Sequence, residues 1–124
     1  MSLLLVPAIP FPGFESSAGF RLEDVEGTMG LHSLESVQDP ALRLFVLDAA
    51  LHLPHYTPVF TDGQRDLAGI TEPDQQRVLV VVNTSDSNPT VNLLAPILVN
   101  ASTLACAQVI LEGQSWDLRT PLPA

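Results

Sequence analysis

Asp48, His52 and His55 put one carboxylate and two imidazoles within eight residues of one another. These are the donor types of a zinc-like metal site, and two ligands three residues apart can share one face of a helix. Pro54 interrupts that spacing, and Leu51, Leu53 and Tyr56 around it read as irregular extended chain. The segment therefore reads as a turn carrying ordinary histidines, with a small metal-dependent enzyme as the alternative from a different class. The third histidine, His32, stands apart. Cys106, the sole cysteine, lies between Ala105 and Ala107 with no nearby base and cannot form an internal disulfide, so it reads as a small apolar filler. No G-x-S-x-G elbow activates a serine, and no G-x-x-x-x-G-K-[ST] loop or G-x-G-x-x-G turn cradles a phosphate. With no lysine in the chain, a nucleotide cofactor is not expected, and neither is any other cofactor or a catalytic role.

Charge narrows the partners. Five arginines against fourteen carboxylates give a formal net charge of −9 in 124 residues. Phosphate backbones draw affinity from Lys and Arg displacing counterions, so nucleic acid is excluded as a direct partner and a basic protein is favoured. The apolar run Leu3 to Val6 has no basic residues before it and Pro7 directly after, so no signal peptide is expected. Ser87 to Leu111 is uncharged but interrupted by Asn88, Pro89, Asn92, Pro96, Asn100 and Gln108, which argues against a membrane span. The expectation is a soluble, cytoplasmic, monomeric chain.

The elements that position these residues are mostly strands. Apolar segments of strand length separated by turn residues predict strands at Leu3 to Val6, Phe20 to Glu23, Leu31 to Leu34, Leu44 to Leu47, Tyr56 to Phe60, Arg77 to Asn83, Thr90 to Leu94, Ile97 to Asn100 and Ala105 to Leu111. Pro10-Phe11-Pro12-Gly13 should reverse the chain, and Asp86-Ser87-Asn88-Pro89 should form a loop. One helix is predicted over Gly63 to Ala68, capped by Asp62, ended by Gly69 and buried through Leu67 and Ile70. Val78 to Val82 is apolar at every position, so both faces of that strand should be covered, by the short helix or the N-terminal segment. Residues 1–124 thus read as one small antiparallel β-barrel-like domain with one short helix. A small-ligand-binding barrel is disfavoured, because few aromatics and a short chain leave little interior beyond the core.

Short strings in a fixed order then become specific. Pro12-Gly13-Phe14-Glu15, followed by Phe20, resembles the early P-G-F-E turn of the FliW family of flagellar assembly factors. Leu34-Glu35-Ser36, Asp39-Pro40 and Phe45-Val46-Leu47-Asp48 resemble its L-Q-S, D-P and F-V-V-D run, with Glu35 in place of Gln. Pro54-His55-Tyr56 is similar to P-D-Y without its acid, and Leu67-Ala68-Gly69-Ile70 to L-G-I. The longest match is Thr90-Val91-Asn92-Leu93-Leu94-Ala95-Pro96-Ile97, followed by Asn100, Gln108-Val109-Ile110-Leu111 and Arg119-Thr120-Pro121-Leu122, with Trp116 where Tyr is common. The family usually carries an extra leading hairpin, whereas only about ten residues precede the turn here, which leaves open whether the barrel closes at that edge; an uncovered edge would invite pairing with another chain.

The resemblance implies a non-enzymatic β-barrel that chaperones newly made flagellin in the bacterial cytoplasm. It also implies antagonism of the RNA-binding translational regulator CsrA, so that flagellin synthesis follows export. A flagellin-only chaperone is the nearest alternative. Candidate contacts are Asn92, Leu93, Leu94 and Pro96 on the family-like uncharged stretch, and Asp48, Tyr56, Glu72 and Asp74 for acidic or amphipathic contact.

Overall fold

The computed structural model describes residues 2–121 apart from 13, 16 and 85–87. Among the described residues nine strands form: β1 (Ser2–Pro7), β2 (Phe20–Asp24), β3 (Leu31–Ser36), β4 (Arg43–Asp48), β5 (Gln76–Asn83), β6 (Thr90–Val91), β7 (Ile97–Asn100), β8 (Ala105–Gln108) and β9 (Thr120–Pro121). Two helices, α1 (Ala49–His52) and α2 (Asp62–Leu67), lie between β4 and β5, followed by a 3-10 turn at Pro73–Gln75. The hydrogen-bonded order β4-β3-β2-β1-β8-β7-β5 returns to β4 through the β4–β5 pairing, closing a barrel, while β6 and β9 extend outward from β5. Every pairing is antiparallel except β1 with β8.

That parallel pair closes the barrel. The leading strand, whose closure the sequence left open, pairs with β2 over Ser2 to Leu5 and with β8 at Val6 and Pro7. The backbone of Val6 and Ala8 donates to the Leu104 and Cys106 carbonyls, so both sides of this strand are engaged. Because side chains alternate along a strand, one set from each faces the barrel interior. Leu5, Phe20, Leu34, Val46, Leu79 and Ile97 fill it and are all fully buried. Phe11 stacks on Phe20 with ring centroids 4.9 Å apart and closes one end.

The other face of β5 accounts for its unbroken apolar run. Val78, Val80 and Val82 lie outside the barrel wall, beneath Ala49 and Leu53 of the α1 segment and beneath Tyr56 and Trp116. On this face the cover is α1 and the segment behind it, joined at Val78 by Ala68 and Ile70 at the end of α2, while on the inner face Val81 meets the cluster that includes Leu5 and Phe11 of the N-terminal segment. A further apolar layer joins Phe60, Ala68 and Ile70 to the outward side chains Leu98 and Ala107 of β7 and β8.

Several expected elements differ. Residues 56–60 form no strand, because Pro54 and Pro58 remove donors; the segment is held instead by Gln114, whose side-chain amide bonds both Val59 N (3.0 Å) and Val59 O (2.8 Å). β6 stops at Val91 because the Asn92 side chain accepts from Leu94 N and Ala95 N, turning the backbone out of the ladder. β8 ends at Gln108, and β9 at Thr120–Pro121 was not foreseen. The helix α2 starts one residue early, under a capping box of Thr61 and Gln64 rather than an Asp62 cap. Its buried contacts are Ala68 and Ile70, whereas Leu67 is 40% exposed. Gly69 ends it at φ +67, the left-handed conformation that favours glycine. Of the two helices, α1 was not expected; Asp48 caps it by accepting from Ala50 N. The turn before β2 is marked by the bond from Phe14 N to Phe11 O, though Gly13 itself lies outside the described residues, as do Asp86 and Ser87 of the expected loop.

Candidate partner-binding surface

The two ends of the barrel differ in chemistry, and the inward rows show why. Toward one end, Phe20 and Leu22 on β2, Leu34 on β3, Leu44 and Val46 on β4, and Val81 and Leu79 on β5 are apolar, and the one polar side chain on these rows toward that end, Ser36 on β3, is buried and bonded to Ser17. At the other end the same rows terminate in Asp24, His32, Asp48 and Arg77, paired through the registers of β2, β3, β4 and β5. Four strands thus each end in a polar group at one mouth.

At the apolar mouth, an open groove of about 530 Å³ lies between the first loop and the turn after β6. Ile9, Phe11 and Phe14 form one wall, and Asn92, Ala95 and Ile110 the other. Ile110 is 58% exposed and Ile9 is 41% exposed, so apolar surface is presented to solvent along the rim. The Asn92 side chain is committed to its own loop, as Asn100 is: Asn100 Nδ2 donates to Ala68 O and Gly69 O while its Oδ1 accepts from Ser102 N and Thr103 N. The four candidates of this stretch divide. Leu93 and Pro96 are buried, because Leu93 packs on Val80 and Val91 and Pro96 precedes a fully internal strand. Asn92 and Leu94 remain partly exposed on the surface.

At the polar mouth, Arg77 Nε donates to Asp48 Oδ2 at 3.2 Å and Arg77 Nη2 meets His32 Nε2 at 3.1 Å. Asp48 therefore serves the α1 cap and an ion pair rather than a metal. His52 turns its Nε2 to the Met29 carbonyl, and His55 is exposed elsewhere on the turn. The structure does not gather Asp48, His52 and His55, and among the described residues no group of three His, Cys, Asp or Glu is placed to hold a metal. Sequence reading missed that His32, not the other two histidines, belongs beside Asp48 and Arg77. The usable signal was period-two alternation along β3, which puts His32 on the Leu34 face.

Tyr56 is also committed internally. Its hydroxyl donates to Leu93 O at 2.6 Å, and its ring meets Trp116 edge-on with centroids 4.7 Å apart. Burial pushes its phenol well above the ordinary value, so it stays protonated. Burial likewise pushes the Cys106 thiol up to about 12, which removes the thiolate needed for nucleophilic chemistry.

Glu72 and Asp74 are exposed on the 3-10 turn, whose backbone is held by Gln75 Oε1 accepting from Thr71 N and Glu72 N. All five arginines are engaged within the molecule. Arg21 lies 4.0 Å from Glu23, Arg43 sits over the Phe45 ring, Arg65 pairs with Asp62, Arg77 with Asp48, and Arg119 also has a partner. The excess charge that a partner meets is therefore acidic.

Comparison with known proteins decides the family. The family model described as FliW protein matches residues 4–122. The chain belongs to the FliW family of flagellar assembly factors. Flagellar assembly factor FliW of Thermotoga neapolitana is 32% identical over 111 residues, covering 87% of this chain and 74% of that protein. The corresponding protein of Syntrophus aciditrophicus is 33% identical over 112 residues, covering 86% and 69%. A crystal structure of the flagellar assembly factor FliW superposes with a TM-score of 0.87 at 26% identity, over 98% of this chain and 86% of that one. The FliW-like strings converge in space: Pro12 and Phe14, Asn92 and Ala95, and Gln108 and Ile110 come from three distant segments and line the same groove. No helix among the described residues is long and apolar enough to cross a membrane.

Proposed function

We propose that this chain acts in the cytoplasm as a flagellin chaperone and as a protein antagonist of CsrA, holding one partner and then the other without transforming either. The observation that carries the reading is the apolar groove assembled from the three FliW-like strings, set on a molecule whose arginines are all engaged internally. A groove with aromatic and aliphatic walls suits the apolar face of an amphipathic segment, as the ends of flagellin supply. Asn92 and Leu94 flank it as contacts, with Leu93 and Pro96 beneath them as support. Glu72 and Asp74 supply acidic contact for a regulator that must itself be basic to hold RNA. Asp48, tied to Arg77, and Tyr56, bonded to Leu93, line an open pocket beside α1 as the acidic and amphipathic contacts.

Co-expression with the host's flagellin and CsrA, followed by affinity purification, tests this. Recovery of both partners in separate complexes is expected, with free flagellin displacing CsrA. Flagellin alone would select the chaperone without a regulatory arm, and recovery of neither would refute the proposal. Ile110→Asp in the groove rim should weaken flagellin capture at least tenfold, since a charge there is desolvated on contact.

A further inference from the structure

Among the described residues, the polar side chains that line the apolar groove are two amides, Asn92 and Gln108, and each has only one end engaged. Asn92 Oδ1 accepts from Leu94 N at 3.1 Å and from Ala95 N at 3.0 Å, while Gln108 Nε2 donates to Ala95 O at 3.1 Å. The two side chains thus meet at one residue, one taking the N–H of Ala95 and the other its carbonyl. Their orientation follows, because an N–H only donates and a carbonyl only accepts. The remaining ends are Asn92 Nδ2, a donor, and Gln108 Oε1, an acceptor, and neither has a partner among the described residues. Both residues are partly exposed, so water reaches these ends in the free protein. The wall that carries them is fixed: Val109 N donates to Pro96 O at 3.0 Å and Leu111 N to Leu94 O at 2.8 Å, stapling the turn after β6 to the end of β8.

A partner seated in the groove covers both ends, and a polar group cut off from water without a partner costs more than a matched bond contributes. A carboxylate offers acceptors only, and an ammonium or guanidinium donors only, so each would match one end and leave the other unmatched. A carboxamide offers both. A helical segment has its backbone groups bonded to one another, so the amide must come from a side chain. We propose that Asn92 and Gln108 are a carboxamide-reading pair, selecting an asparagine or glutamine side chain set among the apolar residues of the segment that enters the groove. The inference rests on the groove being the flagellin site, and adds what that site selects besides apolar area. An apolar side chain of the same size fills the same space but leaves both ends unmatched, the kind of difference on which hydrogen-bonding sites discriminate strongly.

The test uses the full chain and the host's flagellin. Each asparagine in the terminal segments of flagellin is replaced by leucine, and each glutamine by methionine, one at a time. Calorimetry then measures binding to the unaltered chain, to Asn92→Ser and to Ile110→Asp. The serine hydroxyl accepts from the same loop N–H groups, so Asn92→Ser keeps the turn and removes the donor. One replacement in flagellin should weaken binding to the unaltered chain by about tenfold and binding to Asn92→Ser by no more than about twofold, the coupling of a double-mutant cycle. Gln108→Met removes the acceptor and should show the same coupling, so the cycle stands if Asn92→Ser does not fold. If no position is coupled while Ile110→Asp still weakens capture, the amide pair is overturned and the groove remains the flagellin site. If Ile110→Asp leaves capture unchanged, the groove reading falls and the pair falls with it.

Discussion

At the scale of single residues, the most heavily committed polar side chains are structural. Asn100 is fully buried and makes four hydrogen bonds that join β7, the end of α2 and the turn before β8. Replacing it with alanine removes the partner of two carbonyls and two N–H groups, of which the Ala68 carbonyl is buried and the other three are part-buried. Asn100→Ala should therefore lose about 2–3 kcal/mol in chemical denaturation. Cys106 sits beside β7 with no exposed surface, and its neutral form is favoured in the fold. A thiol that ionises near its ordinary value of 9.0 when unfolded and at about 12 when folded contributes stability in full below pH 9.0, and that contribution is lost as pH rises toward about 12. Alkylating reagent at mild pH should leave the native protein unmodified and label it stoichiometrically only in denaturant; Cys106→Ala should flatten the alkaline loss of stability.

Elements place these residues, and the loops between them carry the tightest conditions. Gly30, in the turn before β3, has φ +80, and a Cβ there would come within 2.8 Å of His52 Nε2. Gly27 has φ +81 with open space around it. Both substitutions to alanine strain the backbone, but only Gly30→Ala also displaces the imidazole that bonds Met29 O. Gly27→Ala should cost about 1 kcal/mol and Gly30→Ala about twice as much, read as the difference in denaturation midpoints. Glycine-ended turns and alternating strands of this kind were legible in the sequence: β1 to β5 and β7 fall within two residues of expectation. What was not legible has a shared cause. The α1 turn, the 56–60 strap and the end of β6 depend on side chains acting on distant or local backbone, namely Asp48 on Ala50, Gln114 on Val59 and Asn92 on Ala95. Such bonds override propensity and leave no periodic trace. The same holds for the groove, since nothing in the spacing of Phe14, Asn92 and Ile110 says that barrel closure brings them together.

For the whole molecule, the decisive quantity is where uncompensated charge lies relative to the apolar mouth. Every arginine is engaged inside the molecule, three of them in ion pairs, and carboxylates outnumber arginines fourteen to five, so the net charge of −9 is expressed at carboxylates such as Glu72 and Asp74 on a turn stiffened by Gln75. Their exposure makes them poor contributors to folding, because solvent screens surface charges and ion pairs there are worth little. It also makes them effective in steering, because the field of a like-signed surface acts before contact and fades over a Debye length of roughly 8–10 Å. Charge reversal of both, Glu72→Lys with Asp74→Lys, should therefore separate the two roles. Thermal unfolding should stay within the scatter of the unaltered protein. Association with CsrA should slow by about tenfold at low salt, and its dependence on ionic strength should become shallower. Capture of flagellin in the apolar groove should be unaffected, since no charge on that turn lines it. A stopped-flow salt series on both partners reads all of these outcomes. An equal loss for flagellin and CsrA would mean that the acidic turn and the groove belong to one contact surface, and an unchanged CsrA rate would remove Glu72 and Asp74 from the interface.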